Sequence, residues 1–306
     1  MVAHMLGRSR ESTVKALIRR RYADSAARAL HGSDGHRRAL RAGYSAQMLA
    51  HAPPRLIDAW SGCGNLAEYV MLEGSETVVD LGCGSGLDAW LIATAPHAPK
   101  HVIALDLTPQ TLAGLHDARA GATPCELHPI AGDMEQLPLA DACCDLIIAN
   151  AAFNLALDPR KALAEAARIL RPGGRLHAMD LVRETALPAE LLADPMGHGA
   201  SLGGVMHERD LHAAVSAAGF VDVAIHGHRP FQPVIAVQIE ARLPAPLLAS
   251  QQSDDRAQPA DDRPECSMND HRRHPGAGIS LAAENPFPQE QRYEQALRSD
   301  QQNPAE

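Results

Sequence analysis

Val79-Asp80-Leu81-Gly82-Cys83-Gly84-Ser85-Gly86 is the stretch on which the fold turns. Residues 77–81 form a short apolar run closed by a glycine cluster, the pattern of a buried parallel strand. Glycines let the backbone approach a ligand closely, and a helix opening behind them offers N–H groups to it. Residues 87–94 read as that helix and 101–106 as the second strand. Beyond them, residues 109–118 are expected to be helical, with Thr108 as N-cap and Pro109 at the first position. Residues 127–131 and 146–150 give a third and a fourth strand. Asp158-Pro159 opens a helix whose Leu163, Ala166, Ala167 and Leu170 keep one apolar face. Pro172-Gly173-Gly174 stops that helix and leads into a fifth strand, 175–182. Residues 209–218 make another helix, closed by Gly219. Residues 221–226 and 234–239 have no helix between them and are expected as an antiparallel hairpin at the sheet edge. The alternation predicts an α/β fold, a doubly wound seven-stranded sheet with its ligand at the carboxyl ends of the strands.

The chain of 306 residues is 45% hydrophobic and 21% charged, a composition that fits a folded core. Mean hydropathy is −0.19, and no run of about 18 apolar residues occurs, so neither a membrane span nor a membrane partner is expected. The N-terminus builds no apolar signal core, and a cytoplasmic location is expected. The formal charge of −9 is unevenly spread: residues 1–60 carry 11 basic and 4 acidic side chains, and residues 61–243 carry 11 and 22. An acidic centre argues against nucleic acid as a partner. Arg19-Arg20-Arg21 reads as the solvated face of a helix. Three segments follow: a helical one over 1–60, the alternating domain over 61–243, and a polar tail over 244–306 expected to be disordered. The oligomeric state is not legible.

The acids around the glycine loop narrow the ligand. A dinucleotide site calls for G-x-G-x-x-G, yet position 87 is Leu, and Asp80 would repel a pyrophosphate. S-adenosylmethionine (SAM) carries a sulfonium and an ammonium, which an acidic rim suits. Asp106, 20 residues past Gly86 at the end of the second strand, can accept both ribose hydroxyls, with Leu107 beside it. Asp133 and Met134, after the third strand, are expected at the adenine, and Asn150 ends the fourth strand on the same crevice. Gly82, Gly84 and Gly86 would cradle the methionine part.

The succession D-L-G-C-G-S-G, A-L-D-L-T-P, A-G-D-M-E-Q-L-P and R-I-L-R-P-G-G-R resembles class I SAM-dependent methyltransferases. More narrowly, Ser61-Gly62-Cys63-Gly64-Asn65 and Asn150-Ala151-Ala152-Phe153-Asn154-Leu155 are similar to the arsenite methyltransferase family, over about residues 12–243. The resemblance implies a Rossmann-like sheet of methyltransferase type, an N-terminal helical lid over the cofactor, and methyl transfer to a small-molecule acceptor. It also implies cysteine thiolates around trivalent arsenic, and here the chain departs from the pattern. Cys63 is present, but Ala151 stands where a second cysteine belongs, no cysteine lies in 196–204, and none lies near Ser33-Asp34. One thiolate holds a soft trivalent centre weakly. Three readings remain open: another small nucleophile as acceptor, arsenic that arrives with thiol ligands and meets Cys63 alone, or a SAM-binding protein without catalysis.

The six cysteines show no repeated C-x-x-C spacing, so no disulfide framework or structural zinc is expected, and methyl transfer itself requires no metal. Cys143-Cys144 reads as an incidental pair, and Cys83 as packing behind the loop. His226 and His228, two apart in a strand, would share a face. His198 and His207 are candidate bases for a hydroxyl or amine acceptor, and Trp60 could line the pocket.

Overall fold

The computed structural model describes residues 2–29, 34–119, 125–185, 204–231 and 233–245, with side chains from residue 11 onward. Residues 186–203, with His198, and residues 246–306, with Cys266 and most of the expected polar tail, lie outside the described residues. Four helices come first: α1 (Val2–Ala29), α2 (Gly35–Arg41), α3 (Ala46–Ala50) and α4 (Pro54–Asp58). The sheet region runs β1 (Thr77–Leu81), α5 (Leu87–Ala93), β2 (His101–Asp106), α6 (Ala113–Ala118), β3 (Glu126–Ala131) and β4 (Cys144–Asn150). It continues through α7 (Pro159–Ile169), β5 (Leu170–Arg183), β6 (Met206–His207), α8 (Glu208–Ala217), β7 (Val221–Phe231) and β8 (Val234–Arg242).

The strands lie in the order β3-β2-β1-β4-β5-β8-β7, with two-residue β6 beside β5 as an eighth. β1 pairs parallel with β2 on one side and β4 on the other, so the order reverses between β1 and β4. That reversal parts the connections above the strand tips and leaves a crevice there. β8 runs antiparallel to both β5 and β7, so the expected hairpin is present and β7 forms the edge. Successive residues of β1 face opposite sides: Val78 packs with Leu56, Leu87 and Trp90, Val79 with α7 and α8 residues such as Leu163 and Val215.

Several expected elements hold for the expected reasons. Asp158 caps α7, its Oδ1 accepting the N–H groups of Arg160 and Lys161 at 3.1 Å each, and Pro159 follows at the first position. Gly219 closes α8 at φ +100°. Two expectations need correcting. Thr108 does not cap a helix at Pro109: the next residues close i→i+3 bonds, Thr111 N–H to Thr108 O (3.1 Å) and Leu112 N–H to Pro109 O (3.3 Å), and the Thr111 hydroxyl also donates to Thr108 O (2.7 Å). Residues 109–112 therefore turn, and α6 begins at Ala113. Nor does Pro172-Gly173-Gly174 end α7. The helix stops at Ile169, and the Pro-Gly-Gly sits inside β5 at a register shift against β4.

Residues 35–60 pack into the sheet's own core. Ala39, Leu49, Leu56 and Trp60 are buried in one cluster with Val78, Leu87 and Val102. A Cβ on Gly35 would lie 2.3 Å from the Ile57 carbonyl, so α2 and α4 meet backbone to backbone. Ser85 Oγ donates to Leu56 O at 2.7 Å and ties α4 to the glycine loop. On the opposite side of the crevice, Asp180 of β5 supports the 3-10 turn Phe153–Leu155. Its Oδ2 accepts the N–H of Phe153 (2.9 Å), and its Oδ1 that of Leu181 (2.7 Å). Burial pushes this carboxyl up to about 7, although the backbone donors oppose the rise.

Two outcomes follow from this packing. Leu56→Ala should cost about 2–5 kcal/mol in urea unfolding with a single transition; an unchanged midpoint would mean that residues 35–60 fold apart from the sheet. Asp180 has a folded pKa above its unfolded one, so its contribution is fully present below about pH 4 and is lost as pH rises through about 7. The urea midpoint should therefore fall more steeply between pH 5 and pH 8 in the wild type than in Asp180→Asn, and parallel slopes would remove Asp180 as the source.

Candidate functional site

The loop after β1 turns through three left-handed glycines, Gly82, Gly84 and Gly86, at φ +68°, +55° and +82°. Space also limits two of them: a Cβ on Gly82 would lie 2.7 Å from Ala152, and one on Gly86 2.5 Å from Leu115. A Cβ on Gly84 would meet nothing within 4 Å, so that glycine faces open room. Four amides of the loop and one in the first turn of α5 have partners within the protein. Gly82 and Cys83 N–H donate to Leu105 O (2.8 and 3.0 Å), and Gly84 N–H to Asp106 Oδ2 (2.9 Å). Gly86 N–H donates to Cys83 O (2.8 Å), and Ala89 N–H in the first turn of α5 serves Asp80.

Three carboxylates crowd this loop. Asp80 is buried, and its Oδ2 has no hydrogen-bond partner. Burial raises its pKa well above the ordinary range, and the charges of Asp88 and Asp106 raise it further. Asp88, also buried, accepts from the Tyr44 hydroxyl and from Asn150 Nδ2 (2.9 Å), bonds that oppose the upward push of burial. Asp106 is likewise raised by burial against the donors Thr108, Gly84 and Thr111. Among the described residues no Lys, Arg or His pairs with any of the three. The cluster lacks positive charge, and a cationic ligand would supply it.

A crevice opens above the strand tips. Asp106, Leu107, Asp133, Met134 and Asn150 all line it, together with Gly82 and Gly84; Gly86 and Asp80 do not. Helix α1 reaches it as well. Lys15 Nζ donates to Asp133 Oδ2 (2.7 Å), Glu135 Oε2 (3.2 Å) and Glu11 (3.0 Å). Burial disfavours the Lys15 charge, but these three acceptors outweigh it and hold the ammonium above the usual lysine range. Arg19 Nε donates to Leu107 O at 3.2 Å, and all three arginines of the basic run, Arg19, Arg20 and Arg21, are exposed.

Asn150 organises the far wall. Its Nδ2 donates to Asp88 and to Gly64 O (2.8 Å), and its Oδ1 accepts Cys63 N–H (2.9 Å). Both amide hydrogens are thus engaged by the protein. A Cβ on Gly62 would strike the Asn150 amide at 2.6 Å, which is why a glycine precedes Cys63. The Cys63 thiol is 1% exposed and does not line the crevice, whereas Ser61 does. Burial raises its pKa well above the thiol range, Asp180 adds to the rise, and Arg229 opposes it. Ala151 lines the crevice at φ +55°, a strained conformation for a residue with a Cβ.

Other candidates fall away from this centre. Trp60 packs edge-on against Tyr44 with ring centroids 5.3 Å apart, off the crevice lining. Among the described residues His207 precedes α8 and does not line the crevice. A register shift between His226 and Arg229, with Gly227 at φ +64°, breaks the strand alternation. His226 then faces Glu240 (3.3 Å) and His228 faces Glu208 (2.7 Å), so they are not one ligand pair. Lys15, Glu135 and Asp180 were missed from the sequence. Only Asp180 carries a signal there, a carboxylate within the apolar run Ala178-Met179-Asp180-Leu181-Val182.

Residues 79–178 match the family model described as a methyltransferase domain. The chain is 32% identical over 185 residues to the arsenite methyltransferase of Halobacterium salinarum, covering 60% of this chain and 47% of that protein. It is 36% identical over 157 residues to the malonyl-[acyl-carrier protein] O-methyltransferase of Hahella chejuensis, covering 50% and 51%. The chain thus spans about half the length of these curated relatives. The crystal structure of an arsenic(III) S-adenosylmethionine methyltransferase from Chlamydomonas reinhardtii superposes with a TM-score of 0.55 at 27% identity, over 65% of this chain and 72% of that one. Strand order, the acid-ringed glycine loop and these relatives agree with the match of residues 79–178 to a methyltransferase domain.

Proposed function

We propose that the chain transfers a methyl group from SAM to a small-molecule acceptor whose nucleophilic atom brings its own lone pair. The observation that carries this reading is the orphaned Asp80 carboxylate within a buried acid cluster that has no counter-cation. When bound, SAM supplies a methyl group already activated by a sulfonium. The protein's part is to bind, orient and exclude water, which can contribute about 7–11 kcal/mol of barrier lowering. Asp80, Asp88 and Asp106 favour the cationic end, and the room beside Gly84 takes the methionine part. Asp106 accepts from the Gly84 and Thr108 amides and lines the crevice, where it can also meet a ribose hydroxyl. Asp133, Met134 and Leu107 form the adenine side, closed by α1 through Lys15 and Arg19. Asn150 acts by holding the Cys63–Gly64 segment against Asp88.

Nothing lining the described crevice is arranged to remove a proton from the acceptor. Asp106 is engaged by Gly84, Thr108 and Thr111, and Asp133 and Glu135 by Lys15. That favours acceptors attacking through arsenic, sulfur or selenium over neutral hydroxyls or amines. Among the described residues no second cysteine stands beside Cys63, so thiol-bound arsenic fits better than free arsenite gripped by the protein. Cys63 remains the residue that could meet the arsenic, after uncovering and deprotonation.

Asp80→Asn should weaken SAM binding in calorimetry at least tenfold with the circular dichroism spectrum unchanged; equal affinity would remove the acid cluster as the cation's seat. A labelled-methyl assay should yield S-adenosylhomocysteine with arsenite plus glutathione or with a small thiol or selenite acceptor, and none with hydroxyl acceptors. Cys63→Ser then separates the acceptors: turnover collapses if arsenic meets this thiol, and stays within about twofold for any other nucleophile. Absence of product from every acceptor, with SAM still bound, would leave a SAM-binding protein instead of an enzyme.

A further inference from the structure

Away from the crevice, the parallel register brings together three side chains that are separated in sequence. His101 opens β2 and Glu126 opens β3, and the two are direct partners across the strands. His128 lies two residues beyond Glu126, so all three share one face of the sheet. They sit at the amino ends of β2 and β3. The crevice lies at the opposite ends, about 16 Å away for a six-residue strand.

Both imidazoles converge on one oxygen. His101 Nδ1 is 3.4 Å and His128 Nε2 3.6 Å from Glu126 Oε2, and the three ligating atoms lie within 4.8 Å of one another. These separations are longer than good N–H···O bonds. They approach the edge of a tetrahedron of donors around an ion with bonds of about 2.0–2.1 Å, which is about 3.3–3.4 Å. The two ring centroids are 5.8 Å apart and the ring planes are tilted by 32°. His128 is held below the usual imidazole range, burial being the largest cause, with Glu126 opposing and His101 and Arg119 adding to the fall. A neutral ring is the form that ligates.

We propose that His101, Glu126 and His128 bind one divalent transition-metal ion of the zinc class, with solvent completing its shell. Two imidazoles and one carboxylate select zinc, cobalt or nickel over magnesium or calcium, which require oxygen ligands. The ion would join β3, the unpaired edge of the sheet, to β2 at the point where the edge strand begins. Its role is structural. The site is independent of methyl transfer and does not rest on the function proposed above.

The test uses the full chain without a histidine tag, stripped with a chelator and titrated with Zn(II) and, separately, Co(II). Calorimetry should give one saturable Zn(II) per chain, Co(II) should develop visible ligand-field bands, and Zn(II) should raise the Tm. Glu126 is 69% exposed, so Glu126→Gln should leave the fold intact while lowering Zn(II) affinity at least tenfold. His101→Gln combined with His128→Gln should abolish the stoichiometric site and the Tm rise, with S-adenosylhomocysteine affinity unchanged as the check on folding. No saturable binding by the wild type overturns the proposal. So does binding that Glu126→Gln and the double variant leave within about threefold of wild type.

Discussion

A carboxylate buried without a counter-charge is costly, and three of them surround the turn that leaves β1. Each is placed by a different part of the chain. Asp80 ends a strand, Asp88 lies in the first turn of α5, and Asp106 ends the neighbouring strand. The protein offsets the cost with neutral donors alone: amides, two threonines, a tyrosine and an asparagine. That choice keeps the local potential negative, and with it the preference for a cation at the strand tips. An arginine placed there would have stabilised the fold and removed the reason for a sulfonium to bind.

The same donors also build the architecture. Asp106 draws together the glycine loop and the turn before α6. Tyr44 and Asn150 meet at Asp88, so the segment after α2 and the end of β4 share one buried acceptor. Electrostatics at the ligand site and the docking of residues 35–65 are one set of bonds. A substitution that relieves the acid crowding therefore also loosens the wall of the crevice.

Much of this was legible in the chain, for local reasons. The β1 run, the glycine loop and Asp158-Pro159 declare themselves because strand burial, left-handed turns and N-caps depend on a few adjacent residues. Thr108-Pro109 read as a helix start and is not one, because residues 109–112 turn through i→i+3 bonds and the helix begins only at Ala113. Pro172-Gly173-Gly174 read as a helix stop, although the helix had already ended and the tripeptide bends a strand. Lys15 and Glu135 gave no sign, since their meaning is a contact across about 120 positions. The trio of His101, Glu126 and His128 exists only through strand register. The departure at Ala151 was visible as composition, while its strained φ was not.

Glu135 is where two pieces of the crevice meet. One of its oxygens accepts from Lys15 on α1, and the other accepts the N–H of Leu157, just past the turn that closes the opposite side. The residue is 4% exposed, so it is poorly placed to exchange either bond for water. Swinging α1 aside would strand that buried charge at the point from which residues 152–157 hang. One buried carboxylate thus holds both α1 and the backbone at Leu157, so a substitution at Glu135 would release both walls at once.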